Sequence, residues 1–481
     1  MTSVCLLATE VAPLSKTGGL ADVAGALTKY LHGAGHDVRL FTPFYDTIDR
    51  SRLELYRVDF LQDQSLTVGP HHYIYSVWTA RLPGSNAFLY LIECPPLFAR
   101  GTIYTTDADE HLRYLAFTRA AIECCQVMGW APDIVHCNDW HTAFAPLLLQ
   151  NLYAWDHLFD DTRTVLTIHN IGYQGTFPAT AIGDLALGLG EHLIHQDDLR
   201  RGVINPLKHG IMYADAVTTV SPTYAREITT SEYGMGMQEA LRFRGDAVSG
   251  ILNGVDYDDW DPRHDKHLPL HYDSQNLAAK FELKKQLFAR LGLTAGPHTA
   301  LMGSISRMVQ QKGFDLMFES LPYVLDSRDA AFVILGSGEP RYERFFEQLQ
   351  RQFPDRVSFQ HGYNESLSHW IEAASDIFLM PSLYEPCGLN QMYSLRYGTV
   401  PIVRRTGGLA DSVQMFDPAT GVGTGILFEP FEPSALLWAM NTALDLYAQP
   451  QHWNTLVQNG MQQDFSWQQQ GAKYVALYEA L

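Results

Sequence analysis

Short apolar runs alternate with helical patterns along the first half of the chain. Residues 3–9 form an apolar run that predicts a buried strand, and Val38 to Phe41 predicts the next one. Such a strand–loop–helix–strand unit is typical of a parallel, doubly wound sheet. Further strands are predicted at 133–137, 164–169 and 216–221. Between the first two strands, helical spacing relates Leu20, Val23, Ala24, Leu27 and Leu31.

A second series of the same kind begins near residue 300. The stretch from Asn253 to about Pro297 is rich in Asp, His and Pro, and the Asn253-Gly254 turn marks a boundary. Trp467 to Leu481 predicts a last helix with Tyr474, Leu477 and Leu481 on one face. Helical patterns separate the strands of this series, which are predicted at 300–306, 331–336, 357–361, 376–381, 400–404 and 424–428.

Length and composition narrow the class of protein. Single cores stop growing at about 250–300 residues, so 481 residues predict at least two domains. The formal net charge of −19 argues against nucleic acid and anionic membranes as partners. We expect no transmembrane helix, because no run of 18 apolar residues occurs. The chain lacks a basic leader and a Cys-x-x-Cys pair among its 6 Cys, which favours a reduced cytoplasm.

One six-residue sequence occurs twice. Thr17–Asp22 reads Thr-Gly-Gly-Leu-Ala-Asp, and Thr406–Asp411 repeats it. Each copy follows a basic residue, Lys16 or Arg405, and each is placed where a helix is predicted to begin. The placement supports two Rossmann-like domains, although a match this short also arises by chance.

Cations and glycines at predicted strand ends form the first candidate site. Gly18 and Gly19 carry no side chains and precede a helix N-terminus, where N–H groups favour phosphate or sugar oxygens. Lys16 adds a charge there; the alternative is a tight turn beside a solvated Lys. Arg307 and Lys312 follow a predicted strand and suit a diphosphate. For two such cations the alternative is surface salt bridging.

Two polar clusters follow other strands of the first half. His169 begins the group His-Asn-x-x-Tyr-Gln-Gly and could hydrogen-bond a sugar hydroxyl, although a lone His is more often structural. Asp139 lies among His136, Asn138 and His141. Donors packed so closely in sequence give poor tetrahedral geometry, so we predict no metal site there. Trp140 is interpreted as a core residue rather than a sugar platform.

The densest polar group is Tyr384–Gln391, which follows a predicted strand and precedes a helix. Glu385 would bind sugar hydroxyls or stabilise a cationic, oxocarbenium-like centre. The alternative is an acid favoured by the helix dipole. Two other motifs are weak. The Gly336-Ser337-Gly338 turn lacks a third glycine for a dinucleotide fingerprint, and the Asp107-x-Asp109 pair is predicted to cap a helix rather than bind a metal.

Taken together, the motifs resemble those of bacterial glycogen synthases and plant starch synthases, which are retaining glycosyltransferases of the GT-B fold. The resemblance spans nearly the whole chain. It implies an α/β architecture of two Rossmann-like, doubly wound domains facing a central crevice. Residues 1–253 would form the acceptor-side domain and 254–464 the nucleotide-sugar-binding domain, with a helix at about 465–481 returning to the first. The motifs that carry the resemblance are Lys16–Asp22, Asn138–His141, His169–Gly175, Ile251–Asp256, Ser306-Arg307 with Gln311–Gly313, Glu385–Leu389 and Thr406–Asp411.

Roles follow from the resemblance position by position. Arg307 and Lys312 would hold the diphosphate, and Tyr363 would lie near the nucleobase. Asn390 departs from the Thr of several bacterial enzymes. The implied catalytic residues are His169, Glu385, Arg307, Lys312 and Asp139; the implied nucleotide-sugar contacts are Lys16, Gly18, Gly19, Asn170, Tyr363, Cys387, Gly388, Leu389 and Asn390; and Tyr104 is implied on the acceptor or sugar side.

The implied reaction transfers an α-glucosyl unit from ADP-glucose to the non-reducing 4-OH of an α-1,4-glucan with retention, releasing ADP. The donor and a glycogen-like glucan would be the partners, and no cofactor or metal is expected. Selection of ADP-glucose over UDP-glucose is left open. The rival interpretations are a GT-B phosphorylase with a pyridoxal-phosphate Lys, a two-domain sugar-binding protein, and, as the weakest, an NAD-dependent dehydrogenase.

Overall fold

The computed structural model describes residues 1–296 and 298–481, which group into two compact units. Each unit has its own core and is described separately. Unit 1 contains Met1–Val220, Ala225–Gly254 and Trp467–Leu481; unit 2 contains Ser221–Tyr224 and Val255–Ser466.

Unit 1 is built on a ten-stranded sheet in the order β12-β11-β8-β7-β1-β2-β6-β5-β3, with β4 paired to β5. The strands from β12 to β6 are parallel, and β5 runs antiparallel to its neighbours β6, β3 and β4. The strands are β1 (Ser3–Leu7), β2 (Asp37–Pro43), β3 (Tyr56–Arg57), β4 (Gln64–Val68), β5 (His71–Arg81), β6 (Phe88–Glu93), β7 (Ile134–Asn138), β8 (Arg163–Ile168), β11 (Ala216–Thr219) and β12 (Val248–Gly250), with a separate pair β9 (Phe177–Pro178) and β10 (Val203–Ile204).

The parallel part of this sheet confirms the doubly wound fold predicted from the apolar runs. The antiparallel margin was not predicted, because many side chains of β3, β4 and β5 are exposed or only half-buried. The helices of unit 1 are α1 (Gly19–Gly33), α2 (Pro95–Phe98), α3 (Glu110–Met128), α4 (Asp139–Thr142), α5 (Ala145–Gln150), α6 (Gln196–Arg200), α7 (Pro206–Tyr213), α8 (Pro222–Glu227, whose first residues belong to unit 2), α9 (Gln238–Arg244) and α18 (Trp467–Glu479).

The predicted caps of α3 are wrong. Asp109 precedes the helix but makes no side-chain capping bond. Instead, the Arg100 guanidinium donates to Asp107 at 3.0 Å and to Asp109 at 2.6 and 2.7 Å. The hydrogen bond from Arg100 lowers the pKa of Asp109. A guanidinium close by in the chain, 19% exposed, therefore outcompetes the helix N–H groups for these carboxylates.

The C-terminal helix α18 packs within unit 1, and its predicted face is correct at Tyr474 but wrong at Leu477 and Leu481. Tyr474 and Tyr478 are buried, whereas Leu477 is half-buried and Leu481 is 37% exposed. The Tyr478 hydroxyl lies 2.7 Å from Nδ1 of the buried His136. Tyr478 therefore buries its ring while its hydroxyl meets a buried polar partner, a choice that apolar periodicity does not report.

Unit 2 is built on a six-stranded parallel sheet in the order β15-β14-β13-β16-β17-β18, and the six strands predicted for this half are confirmed within a few residues. The strands are β13 (Ala300–Ile305), β14 (Ala330–Gly336), β15 (Val357–His361), β16 (Ile377–Met380), β17 (Val400–Arg404) and β18 (Ile426–Phe428). The helices are α10 (Ala278–Leu291), α11 (Met317–Ser327), α12 (Pro340–Gln352), α13 (Glu365–Ala374), α14 (Asn390–Arg396), α15 (Gly407–Ser412), α16 (Pro433–Tyr447) and α17 (Pro450–Met461).

Short 3-10 turns complete both units, at Arg50–Arg52, Asp59–Leu61, His157–Phe159, Ala179–Leu185, Gly188–Leu193, Gly245–Ala247, Gln310–Lys312 and Phe314–Leu316. In the part of the chain that the structure describes, no helix has both the length and the apolar character needed to cross a membrane.

Candidate active site

A buried carboxylate holds the Gly-Gly loop that precedes α1. Glu10 Oε2 accepts from the backbone N–H groups of Thr17 at 2.5 Å and Gly18 at 2.9 Å. Its Oε1 accepts from the Thr17 hydroxyl at 2.7 Å. Glu10 was not among the predicted site residues, although an acid just after an apolar strand is a usable signal. Its bonds fix the loop with the glycines outward.

The two glycines of this loop are open to a ligand. No heavy atom of the described residues lies within 4 Å of the position that a Cβ would take on Gly18 or Gly19. Lys16 reaches Asp22 in the first turn of α1, with Nζ 2.7 Å from Oδ1. Both groups of this pair are partly exposed, so the Lys16 ammonium remains accessible to an anion.

Tyr104 joins the same carboxylate from the loop before α3. Its hydroxyl donates to Glu10 Oε1 at 2.6 Å and lies 3.1 Å from Thr9 Oγ1. Burial and the charge of Glu10 raise the pKa of Tyr104 well above its ordinary value, so the phenol stays protonated. The structure therefore brings Tyr104 and the Lys16–Gly19 loop together through Glu10.

His169, at the end of β8, has its ring fixed by an amide. The Asn138 side chain donates to the Leu7 carbonyl at 3.0 Å, which leaves its Oδ1 to face His169 Nε2 at 2.8 Å. Nε2 must therefore carry the proton, and the lone pair lies on Nδ1. Burial lowers the pKa of His169 to about 3. The ring is thus a neutral hydrogen-bonding group rather than a cation at neutral pH.

Asp139 binds the backbone next to His169. Its Oδ1 accepts from the His169 N–H at 2.7 Å, and its own backbone has a positive φ of 54°. Burial raises the pKa of Asp139 to about 7, although hydrogen bonds from the His169 and Asn170 backbone act in the opposite direction. Asn170 Oδ1 accepts from the Gly172 N–H at 2.9 Å. Asp139 and Asn170 therefore position the turn after β8.

An aromatic cluster lies beside these residues. Trp140 packs against His141 with the rings tilted by 31° and their centroids 4.1 Å apart, and it meets Tyr114 edge-on at 5.3 Å. A Cβ on Gly175, whose φ is +67°, would lie 2.0 Å from the Trp140 ring, so only glycine fits there. Trp140 is half-buried and therefore mainly a packing residue, as predicted. The cluster lines a small opening formed by His111, Tyr114, Leu115, Trp140, His141, Phe144, Phe177 and Pro206.

In unit 2, Arg307 and Lys312 lie after β13, as predicted. Arg307 is exposed. The backbone beside it packs against the Gly336–Gly338 turn, where Met308 donates to the Ser337 carbonyl at 2.8 Å. A Cβ on Gly336 would lie 2.0 Å from the Ser306 carbonyl oxygen, and one on Gly338 2.3 Å from that of Met308. These glycines therefore serve backbone packing, which explains a motif that resembled a weak dinucleotide signal.

Lys312 and Glu385 form a close ion pair. Nζ of Lys312 lies 2.6 Å from Oε2 of Glu385, which also accepts from the Ser382 hydroxyl at 3.0 Å. The Lys312 side chain is 20% exposed and that of Glu385 is 6% exposed. Two residues predicted separately, one for phosphate and one for sugar, therefore meet directly. Ser382 was not predicted and carried no signal beyond its place after β16.

The turn between Glu385 and α14 presents backbone rather than side chains. Gly388 has a φ of +71°, and a Cβ there would lie 2.5 Å from Gln391 Oε1. Gln391 in turn donates to the carbonyls of Cys387 at 3.1 Å and Gly388 at 3.0 Å. Leu389 precedes the first residue of α14, and Asn390 donates to the Ile305 carbonyl at 2.9 Å. This arrangement places the turn beside the end of β13.

Tyr363 lies in the turn between β15 and α13 and is 76% exposed. An exposed aromatic ring at a strand end suits stacking on a planar ligand. The structure thus distributes the predicted residues into two groups. Unit 1 holds the loop, Tyr104, Asp139, His169 and Asn170, and unit 2 holds the ion pair, Arg307, the glycine turn and Tyr363.

Comparisons with known proteins agree with this division. A family model described as "Starch synthase catalytic domain" matches residues 3–243, and one described as "Glycosyl transferases group 1" matches residues 293–460. The glycogen synthase of Anaeromyxobacter dehalogenans (strain 2CP-C) is 43% identical over 484 residues, covering 99% of both chains. That of Myxococcus xanthus (strain DK1622) is 43% identical over 491 residues, 100% of this chain and 99% of the relative.

Solved structures show the same architecture. The catalytic domain of starch synthase IV from Arabidopsis thaliana, bound to ADP and acarbose, superposes with a TM-score of 0.92 at 37% identity over 100% of this chain and 99% of that one. Sucrose-phosphate synthase from Thermosynechococcus elongatus shares the fold, with a TM-score of 0.63 at 17% identity over 100% and 99%.

The fold and the two matched models define a glycosyltransferase of the GT-B class. The identity to curated relatives over the full chain narrows the class further. The chain belongs to the family of bacterial glycogen synthases and plant starch synthases.

Proposed function

We propose that this enzyme transfers an α-glucosyl unit from ADP-glucose to the non-reducing 4-OH of an α-1,4-glucan, with retention and release of ADP. The glycogen synthase relatives support the polymer, and the ADP and acarbose in the Arabidopsis structure support the donor and acceptor classes. The observation that carries the proposal is the Lys312–Glu385 pair, which lies beside the turn that opens α14.

The charges of unit 2 suit departure of a nucleoside diphosphate. Cleavage of the glucosyl C1–O bond puts negative charge on the leaving phosphate, and the new bond forms from C1 to the acceptor oxygen. The acceptor proton passes to the leaving phosphate oxygen, so that no redox partner is needed. Arg307 and Lys312 stabilise the departing charge, and Glu385 stabilises the positive charge that develops on the sugar.

The residues of unit 1 offer the substrate a neutral imidazole acceptor, backbone N–H donors and the Lys16 ammonium. His169 keeps its proton on Nε2 and offers Nδ1 to a sugar hydroxyl, and its low pKa keeps it neutral throughout the neutral range. The N–H groups around Gly18 and Gly19, with Lys16, suit the donor's phosphate or sugar oxygens. We propose that Asp139 and Tyr104 position these groups rather than exchange protons with the substrate.

We propose that transfer needs no metal ion, because Arg307 and Lys312 supply the positive charge that a divalent cation would supply to a diphosphate. Assays with excess EDTA, at a temperature well below unfolding, should retain full activity. Loss of transfer that returns with Mg²⁺ would overturn this part of the proposal.

We propose that the enzyme works in a reduced cytoplasm. Its 6 buried, free cysteines support this compartment.

The decisive experiment measures transfer to glycogen with ADP-glucose and UDP-glucose in parallel. We expect faster transfer from ADP-glucose, and no transfer from either donor would overturn the proposal. Lys312→Ala should lower kcat/KM by about 100-fold, or about 3 kcal/mol. Lys285→Ala is the matched control, because that exposed Lys pairs only loosely, with its Nζ 3.4 Å from Glu282. Equal kinetics for both variants would remove the diphosphate role.

A further inference from the structure

Unit 2 contains a second group of polar side chains that the transfer reaction does not use. His267, Glu365 and His369 each place one ligand atom so that all three lie within 4.8 Å of one another. Two imidazole nitrogens and a carboxylate oxygen form a donor set that suits first-row divalent metals such as Zn²⁺. This group is called the His-Glu-His cluster below.

Two ligands of the cluster come from one helix. Glu365 is the first residue of α13 and His369 follows four residues later, so both side chains lie on the same face. Glu365 is exposed, whereas His369 is completely buried. The third ligand, His267, comes from the segment between β12 and α10, in which the structure has no helix or strand. The cluster therefore joins an irregular segment to a helix.

A buried carboxylate orients His369. Asp265 Oδ2 lies 2.8 Å from His369 Nδ1 and accepts from the Tyr397 hydroxyl at 2.6 Å. A carboxylate oxygen at this distance accepts from Nδ1–H, which places the His369 proton on Nδ1 and leaves a lone pair on Nε2. Metal-binding histidines are oriented by a carboxylate in this way.

One ring nitrogen of each histidine in the cluster lacks a hydrogen-bond partner among the described residues. Nε2 of His369 and Nε2 of His267 are buried and have no hydrogen-bond partner among the described residues. Their rings are 4.3 Å apart, and His369 is held on its other face by Trp260, with centroids 3.8 Å apart. Buried polar atoms without a partner are rare and indicate a missing ion or water. Two of them in one cluster, beside a carboxylate, point to an ion.

We propose that His267, Glu365 and His369 bind one divalent transition metal, with Asp265 as the positioning residue for His369. Protein ligands bind such an ion at about 2.0–2.1 Å, and donors that lie within 4.8 Å of one another reach that distance by small side-chain adjustments. Glu365 can adjust because it is exposed at the start of α13. Lys266 is near enough to interact with Glu365, but its ammonium already binds Asp259 at 2.9 Å.

A metal here would fasten the 255–277 segment to α13. The ligands include none of the residues proposed for glucosyl transfer, so the inference stands or falls apart from the proposed function. The expected consequence is stability rather than catalysis, because a ligand that binds only the folded state raises its stability.

The experiment uses the full chain without a histidine tag, freed of metal by a chelator that is then removed. Titration with Zn²⁺ should show one tight site. At a free Zn²⁺ concentration 100 times the dissociation constant, Tm should rise by about 5 °C or more. Co²⁺ should bind in the same place and give the visible absorption of a low-coordinate nitrogen and oxygen site.

Glu365→Gln and His267→Gln should each weaken Zn²⁺ binding by at least about 10-fold and abolish the Tm rise. Glu343→Gln is the matched control. Glu343 also lies in the first turn of a helix and contacts a His, with its Oε1 3.1 Å from His361 Nε2, but the described residues supply no third ligand to that pair. His361→Gln is the control for His267→Gln. The proposal fails if the wild type shows no tight Zn²⁺ site. It also fails if Glu365→Gln and His267→Gln bind Zn²⁺ as tightly as the wild type and the two control variants do.

Discussion

The loops that open α1 and α15 share six residues, Thr17–Asp22 and Thr406–Asp411, but their glycines meet different surroundings. No heavy atom lies within 4 Å of a Cβ placed on Gly18 or Gly19, in the described structure. A Cβ on Gly407 would lie 1.9 Å from the Glu385 carbonyl oxygen, and one on Gly408 2.2 Å from that of Cys387. The first copy leaves space for a ligand, whereas the second lets two segments of backbone touch.

The two copies also differ in what holds them. The first is fixed by the Glu10 carboxylate, which accepts two backbone N–H groups. The second is fixed by main chain, because the Gly408 N–H donates to the Glu385 carbonyl at 3.0 Å. Its Asp411 accepts from the backbone and hydroxyl of Thr223 at 2.7 and 2.6 Å. The same sequence therefore forms an open loop in one unit and positions Glu385 in the other.

The largest effect should come from the carboxylate that the second copy positions. Glu385→Gln keeps the main chain that contacts Gly407 and Gly408 but removes the charge that faces Lys312. We expect kcat/KM to fall by about 100–1,000-fold, or about 3–4 kcal/mol, with little loss of stability. Kinetics with ADP-glucose and glycogen provide the measurement, and exposed Glu429, paired with Arg405 at 2.9 Å, provides the Glu429→Gln control. Near-normal activity in Glu385→Gln would reduce Glu385 to a structural acid.

Substitution of a glycine should change the free energy of unfolding differently in the two copies. Gly408→Ala forces a Cβ into backbone and should lower the free energy of unfolding by about 3 kcal/mol. Gly19→Ala is its equivalent in the first copy and should change stability by no more than about 1 kcal/mol, in the stabilising direction. It should nevertheless weaken donor binding. Urea unfolding of both variants makes the comparison, and equal losses of stability would show that the two loops are packed alike.

The fold was predictable where apolar runs are continuous. Most parallel strands of the two sheets are nearly fully buried, and their apolar runs predicted them to within a few residues. The parallel strands β6 and β12 were not predicted, because several of their side chains are exposed or half-buried. The antiparallel margin of unit 1 escaped prediction because β5 is half-exposed. The buried face of α18 was predicted only at Tyr474, because Tyr478 rather than a leucine occupies the next turn of that face.

The sequence indicated which residues belong to the candidate site, but it did not indicate which of them contact one another. Lys312 and Glu385 were each expected at strand ends, yet their contact joins positions 73 residues apart. Glu10 and Tyr104 are 94 residues apart, and no local pattern relates them. Spacing along the chain reports which side chains share an element, whereas these contacts depend on how different elements pack. The two copies of the Gly-Gly sequence show the same limit, since only packing distinguishes them.

A smaller effect should follow from removing the carboxylate that holds the first copy. In Glu10→Gln one oxygen is lost, and the backbone N–H groups of Thr17 and Gly18 lose a charged acceptor. We expect a loss of about 2 kcal/mol in stability and a higher KM for ADP-glucose, because the loop is no longer fixed. Glu54→Gln is the control, since exposed Glu54 also accepts from a tyrosine hydroxyl, that of Tyr56. If Glu10→Gln binds ADP-glucose as tightly as the wild type does, donor binding does not depend on the hydrogen bonds from the Thr17–Asp22 loop to Glu10.

The smallest effect concerns pH and Asp139, which lies in the same polar region as Glu10. Its folded pKa of about 7 exceeds the ordinary value of 3.8. At a pH between these values, Asp139 keeps its proton in the folded chain but has released it in the unfolded chain. Stability therefore falls as pH rises, until Asp139 is ionised in both forms above pH 7. Asp139→Asn removes this titration but keeps Oδ1 for the His169 N–H. The variant should therefore gain on the order of 1–2 kcal/mol relative to wild type between about pH 5 and 8. Urea unfolding of both proteins across this range measures the difference, in which the titration of all other groups cancels. If the difference in stability between the two proteins did not change with pH, Asp139 would be ionised throughout, and its surroundings would be more polar than its burial implies.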